Sequence, residues 1–372
     1  MMKRILCFLI GVLMMVPMFV ACSDPSSKEP ATAPVTTEPV QTDPPAPVEK
    51  TYKAAELMQH LRTTGRASLI GEVLALDWSW AKAELSGEFA AGAVSATLSL
   101  GYGSLADLMV VVDDDYENAK RIEITSKTPA SVELCTLSAG VHNIKLYKNT
   151  QAMSGGLNLH DLTCTAHLAP ASTEDRMSIL VIGDSITCGA GAMPTTRPEG
   201  QSDLAEYSYG ALLSKELNAD VSILAISGWG IACGGMNDQA LIPKIFDKTN
   251  WFRDQNAKWP FEKDSFDLVI VALGTNDYRF AGEGRTDVLI KASNDFLDVI
   301  REKNPSSRVL WVYGQMLNQY NRQLKTMIRE RGDSKMAYMD LPTNVEGGFG
   351  HPNAAGHVEY CRLIKEWIDD RF

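Results

Sequence analysis

The chain lacks what several classes of protein need. It has no run of lysine and arginine, and 35 basic residues stand against 46 acidic ones, for a formal net charge of −11. A protein that grips a phosphate backbone carries a basic patch, so the composition argues against nucleic acid as a partner. Its seven cysteines are scattered, with no Cys-x-x-Cys and no cysteine–histidine cluster, so no zinc site is written in it. Leaving aside Cys7 and Cys22 near the N-terminus, five remain: Cys135, Cys164, Cys188, Cys233 and Cys361. That odd, irregular set is no disulfide framework. Buried free thiols are the default reading, with Cys135–Cys164 left open as a pair in an oxidising compartment. No tandem repeat is visible. What is present, 372 residues of which 45% are hydrophobic and 22% charged, suffices for a sizeable core and suggests two domains plus extras.

Residues 1–21 read as a targeting segment. Lys3 and Arg4 precede an uncharged apolar run, Ile5 to Val20, broken by Pro17. The run is short for a membrane span and has the flanks of a secretory signal. It ends in Ala21-Cys22, which resembles a bacterial lipobox with Cys22 as the lipidated mature N-terminus. The alternative is an ordinary signal with an incidental cysteine. Residues 22–50 hold seven of the 17 prolines and no aromatic residue. Such a segment buries no core and reads as a solvated tether, which fits an extracytoplasmic protein anchored to a membrane through Cys22.

Two folded regions follow. Over 51–170, short strand-like segments alternate with turn residues: Ser68 to Leu76, Val94 to Gly101, Leu108 to Val112, Arg121 to Thr125 and His142 to Tyr147. In the last of these, apolar and polar residues alternate with period two, as for a strand with one buried face. Closely spaced strands without helical patterns predict an all-β sandwich.

Over 171–372 the pattern changes. Continuous apolar runs begin at Ser178, Val221, Leu268, Val309 and Met336, and helical patterns cover Tyr207 to Leu217, Thr286 to Lys303, Gln319 to Glu330 and Ala354 to Ile368. Alternating strands and helices predict a parallel sheet covered on both faces, an α/β fold. Ligands of such sheets bind beyond the carboxyl ends of the strands.

Those ends carry chemistry. The first predicted strand runs into Gly183-Asp184-Ser185, the second into Ser227-Gly228-Trp229, and the third into Gly274-Thr275-Asn276-Asp277. His351-Pro352 stands near the C-terminus. A serine hydrolase needs a nucleophile, a base, and donors for the developing oxyanion. Asp184 and Asp277 flank these residues and read as loop-ordering groups rather than acids or bases. Trp229 and Tyr278 follow Gly228 and Asp277 and either stack on a ring of a ligand or pack in the core. Trp251 and Trp259 are placed for a rim over the site.

In these four blocks the sequence resembles the SGNH (GDSL) hydrolases. The resemblance implies a three-layer α/β/α, flavodoxin-like catalytic domain with Ser185 as nucleophile and His351 as base. It implies an oxyanion hole made by the backbone N–H groups of Ser185 and Gly228 and the side-chain amide of Asn276. It implies no metal and no organic cofactor. Gly183-Asp-Ser-Ile-Thr-Cys-Gly189, Ser208-Tyr-Gly-Ala-Leu212 and Leu273-Gly-Thr-Asn-Asp277 look like carbohydrate esterase family 2. Leu137 to Lys148 is similar to that family's N-terminal jelly roll. This closer resemblance implies a carbohydrate O-acetylesterase acting on acetylated glycans such as xylan and mannan.

One element departs from the pattern. The family places Asp three residues before the catalytic histidine, and here that position is Gly348. His351 Nδ1 then needs another acceptor to fix its tautomer. The candidates are a main-chain carbonyl of the Glu346 to Gly350 loop, giving a Ser–His dyad, and the carboxylate of Glu346. Two other functions stay open at this level. One is a GDSL lipase or lysophospholipase, which would want an apolar acyl groove. The other is a glycan-binding lipoprotein with a decayed site.

Overall fold

The computed structural model describes residues 47–193, 203–235, 237–261 and 266–372. The expected signal segment, Cys22 and most of the expected tether lie outside the described residues. From residue 47 onward the described chain belongs to one compact unit, Ala46–Phe372. Among the described residues no helix is long and apolar enough to cross a membrane.

The N-terminal half is an antiparallel, jelly-roll-like sandwich. Its strands are β1 (Glu49–Lys53), β2 (Arg62–Thr64), β3 (Ser68–Ile70), β4 (Val73–Leu76), β5 (Ala81–Phe89), β6 (Gly92–Gly103), β7 (Ala106–Val112), β8 (Lys120–Ile124), β9 (Ala130–Leu137), β10 (Gly140–Lys148) and β11 (Gly155–Leu168), with a short helix α1 (Ala54–Leu57) after β1. Glu49 and Lys50, read from composition as the end of the tether, belong to β1. Its backbone pairs with β11 from Glu49↔Thr165 to Lys53↔Asp161 and Tyr52 buries its ring in the core, so the exposed Glu49 and Lys50 are drawn in by main-chain hydrogen bonding. One sheet runs β2–β5–β10–β7–β8 and the other gathers β3, β4, β1, β6 and β9 around β11. The end of β11 crosses to pair with β5. The inner faces meet through residues such as Leu76, Leu85, Leu98, Leu146 and Leu162, all essentially buried.

The C-terminal half alternates strand and helix as its pattern predicts. The strands are β12 (Ser178–Gly183), β13 (Asp220–Ala225), an antiparallel pair β14 (Lys248–Asn250) and β15 (Asp254–Lys258), β16 (Leu268–Ala272), β17 (Arg308–Tyr313) and β18 (Met336–Asp340). The helices are α2 (Tyr209–Glu216), α3 (Arg279–Gly282), α4 (Thr286–Lys303), α5 (Asn321–Glu330) and α6 (Ala354–Asp369). The main sheet is parallel throughout, in the order β13–β12–β16–β17–β18. In chain order this is 2-1-3-4-5, the flavodoxin-like arrangement. Both faces of β13, β12, β16 and β17 are buried, which is why these strands read as unbroken apolar runs, while the edge strand β18 is half-buried. Leu180, Ile182, Val269 and Val271 face α4 and α5 through Phe296, Leu297 and Leu324, while Ile179, Val181, Ile223 and Ile270 face α2 and α6 through Tyr209, Leu213, Tyr360 and Ile364.

The sandwich docks on this sheet through buried charges. Lys82 Nζ donates to Glu84 at 2.8 Å and to Asp220 at 2.9 Å, Arg62 Nε donates to Asp220 at 2.8 Å, and Arg176 donates twice to Glu84 at 2.7 and 3.0 Å. Burial penalises the Glu84 carboxylate, yet Arg176 and Lys82 outweigh it and hold its pKa down at about 2. Trp80 Nε1 donates to Ser214 Oγ of α2 at 2.8 Å. All five described cysteines are free. Cys135 and Cys164 sit on β9 and β11 and form no disulfide.

Candidate active site

A chain reversal in strand order opens a crevice at the carboxyl ends of β12 and β16, the switch point of a 2-1-3-4-5 sheet. Ser185 lies just past β12 and Asn276 just past β16. The turn carrying Ser185 is tight: Cys188 N donates to Asp184 O at 3.0 Å and Ala190 N to Ser185 O at 2.9 Å. Asp184 is fully buried, and its Oδ1 accepts from Ile186 N at 3.0 Å. Burial, reinforced by nearby Asp277, pushes the Asp184 carboxyl up to about 7.

His351 comes from the far end of the chain, in the loop that enters α6. That loop is stapled to the one following Ser185: Gly348 N donates to Gly191 O at 2.9 Å and Ala354 N to Ala192 O at 3.0 Å. Within it, Gly347 N donates to His351 O and His351 N to Gly348 O. Phe349 holds a left-handed φ of 57°, an uncommon conformation for a bulky residue and one that concentrates near functional sites. The staple brings His351 Nε2 to 2.8 Å from Ser185 Oγ, both groups buried. The Glu346 carboxylate is exposed and accepts from Asn353 Nδ2 at 3.2 Å.

Gly228 and Asn276 line the same pocket as Ser185 and His351. Gly228 has φ of +77°, a conformation side-chain-bearing residues resist. Among the described residues no backbone carbonyl accepts a hydrogen bond from the backbone N–H of Ser185 or of Gly228. Asn276 differs: its Nδ2 donates to Trp229 O at 2.9 Å and to Asp184 Oδ2 at 3.2 Å. Asp277 accepts from the backbone N–H groups of Ile231, Ala232 and Cys233 at 3.1, 2.7 and 2.8 Å. It thereby orders the loop that follows Gly228. Burial raises its carboxyl above the ordinary range against those three donors.

The two aromatic candidates separate. Tyr278 lines the pocket mouth and is about half exposed. Trp229 packs edge-on against Trp251 and Phe252, with centroids at 6.3 and 6.5 Å, so its ring is spent on the core. Trp259, expected at the rim, instead stands over Arg66 at the junction with the sandwich. The sequence reading did not find Met153, Met316 and Leu317, which give the pocket, of about 390 Å³, an apolar wall. Met153 comes from the sandwich. Two residues before it, Gln151 accepts from Ser227 N through Oε1 at 3.1 Å and donates from Nε2 to Asp203 at 2.6 Å. No local pattern marks these residues, because they enter from loops distant in sequence.

Residues 181–358 match the GDSL-like lipase/acylhydrolase family. Among curated relatives, an acetylxylan esterase/glucomannan deacetylase from Cellvibrio japonicus is 26% identical over 278 residues, covering 73% of this chain and 76% of that protein. Among solved structures, a family two carbohydrate esterase from Cellvibrio japonicus superposes with a TM-score of 0.76 at 20% identity, over 87% of this chain and 98% of that one. An acetyl xylan esterase from Butyrivibrio proteoclasticus gives a TM-score of 0.76 at 18% identity, over 87% and 99%.

Proposed function

We propose that this chain, a serine esterase whose residues 181–358 match the GDSL-like lipase/acylhydrolase family, removes O-acetyl groups from polysaccharides of the xylan and mannan type. The observation that carries the reading is the 2.8 Å contact between Ser185 Oγ and His351 Nε2 inside the switch-point pocket. The curated relative's acetylxylan and glucomannan substrates supply the substrate class.

Ser185 Oγ attacks the acetyl carbonyl carbon while His351 Nε2 takes its proton. The charge that develops on the carbonyl oxygen is received by the N–H groups of Ser185 and Gly228. No described backbone carbonyl has to release them first. Asn276 Nδ2 joins them by releasing its longer bond, the one to Asp184 Oδ2. As the carbon–oxygen bond to the sugar breaks, His351 protonates the departing hydroxyl oxygen and leaves an acetyl-Ser185. Water then attacks this ester with its proton passing to His351. Acetate leaves, and the proton returns to Ser185 Oγ.

Tyr278, half exposed at the mouth, offers a face for a sugar ring. The wall of Met153, Met316 and Leu317 favours a second reading, a lipase or lysophospholipase. The test is acetate release from acetylated xylan and glucomannan by the wild type and by Ser185→Ala, with fluorophosphonate labelling of Ser185. Turnover that survives Ser185→Ala overturns the reading. The basic start, the apolar run and Ala21-Cys22 support placement outside the cytoplasm on a lipid anchor at Cys22. Loss of the membrane-bound fraction in Cys22→Ser checks this.

A further inference from the structure

The loop after β13 that carries Ser227 and Gly228 is held from outside the hydrolase domain. Gln151 lies in the loop between β10 and β11 and is fully buried. Its amide has two different faces to satisfy. Oε1 accepts from the backbone N–H of Ser227, the residue before Gly228, at 3.1 Å, and Nε2 donates to Asp203 Oδ2 at 2.6 Å. The same carboxylate oxygen accepts from Ser227 Oγ. Asp203 is itself buried. The amide orientation is therefore unambiguous, because a carboxylate accepts and a backbone N–H donates. Both polar groups of Ser227 that can donate are tied down, one through Gln151 and one directly to Asp203.

The loop that presents Gln151 is itself pinned. Lys148 Nζ, fully buried, donates to Thr150 O and Gln151 O at 2.6 Å each. Asn149 N donates to Asp107 O at 2.7 Å, Ala205 N to Asn149 O at 2.8 Å, and Glu206 N to Asn149 Oδ1 at 2.9 Å. The sandwich loop and the segment entering α2 are thus zipped together, with Asp203 at their meeting point and Met153 continuing into the pocket.

We propose that Gln151 is a positioning residue of the esterase site, which fixes the Ser227–Gly228 peptide so that the Gly228 N–H points at the developing oxyanion. Gly228 has no side chain to hold its own orientation, and its positive φ leaves neighbouring conformations within reach. Misplacing an oxyanion donor by a fraction of an ångström costs rate rather than ground-state binding. The sandwich is then part of the catalytic machinery and not only a neighbour to it. This inference rests on the esterase reading of Ser185 and His351.

Gln151→Glu tests it with almost no change in shape. The new carboxyl faces Asp203, and two carboxylates sharing a site hold one proton between them. At pH 8, where that proton is lost, kcat on a p-nitrophenyl acetate substrate is expected to fall about ten- to a hundredfold with KM within about twofold. A full loss of one oxyanion donor costs 10²–10³. At pH 5.5 to 6 the shared proton restores the bridge, so activity relative to wild type recovers. The double variant Gln151→Glu/Asp203→Asn removes the like-charge pair and abolishes this extra pH dependence. If Gln151→Glu does not fold, Gln151→Met carries the test: reduced kcat with unchanged KM and slowed fluorophosphonate labelling support the role. A wild-type kcat and pH profile in the folded variant overturns it. The wild type is measured alongside: an inactive, unlabelled wild type would instead overturn the esterase reading itself.

Discussion

Replacing His357 by Asn is expected to change how stability depends on pH, and the size follows from the burial of one imidazole. His357 lies on α6, fully buried, with its ring stacked on Tyr209 at 6.2 Å and edge-on to Tyr360 at 5.8 Å. Its Nδ1 accepts from Tyr209 N at 3.3 Å. Burial, with nearby His351 adding to it, pulls its pKa from 6.5 down to about 3. Between those two values the unfolded chain binds a proton that the folded chain refuses. Stability therefore falls as pH falls through that window, by about 1.4 kcal/mol per pH unit. From pH 7 to pH 5 the loss from this residue is about 2 kcal/mol by the same linkage. Asp184 works in the opposite direction. Its carboxyl rises from 3.8 to about 7 in the fold, so the folded chain binds the extra proton and stability rises as pH falls from about 7 towards 3.8. In the wild type the two slopes oppose one another across nearly the same window. Asn at 357 keeps an acceptor near the position of Nδ1 for Tyr209 N while removing the titration. Urea unfolding at pH 7, 6 and 5 should show the variant gaining about 2 kcal/mol on the wild type over that range, whatever its offset at pH 7. A constant difference across the three pH values would refute the reasoning, because it would mean that His357 takes up its proton equally in both states.

Asn276→Ala should lower kcat by roughly a hundred- to a thousandfold with KM little changed, the range for loss of one oxyanion donor; a pure KM effect would make Asn276 a substrate-binding residue instead. Acetyl esters should be cleaved much faster than octanoyl esters in a p-nitrophenyl series, and the reverse order would mean that the wall of Met153, Met316 and Leu317 serves a long acyl chain. Glu346→Gln should change kcat and its pH profile only a few-fold, since the Glu346 carboxylate is exposed and bonded to Asn353. In a triad the Asp→Asn change costs about 10⁴, so a loss of several orders of magnitude with folding intact would make Glu346 the group that orients His351.

The catalytic half was legible in the sequence because its signals are local. A parallel strand buried on both faces is a continuous apolar run wherever it occurs, and β12, β13, β16, β17 and β18 each stand within a residue or two of such a run. Motif residues at the ends of those runs are placed by the topology of the fold itself, which is why Ser185, Gly228 and Asn276 arrive at one crevice. The amphipathic period of α4 and the Asn353 cap of α6 mark helices in the same local way. The sandwich was legible as a class, but β5 shows where such reading stops. Lys82 and Glu84 in that strand look like a solvent face, and docking on Arg62, Arg176 and Asp220 buries them instead. Trp229 offered two equal readings, and only the approach of Trp251 and Phe252 assigned its ring to the core. Gln151 and Met153 carry no signal at all, since a glutamine and a methionine in a connecting loop match no motif. Gln151 meets Ser227 across 76 residues of chain. A contact of that kind is set by how two sheets dock, and docking is decided by the sum of side-chain shapes and charges over both surfaces, which no window of neighbouring residues contains.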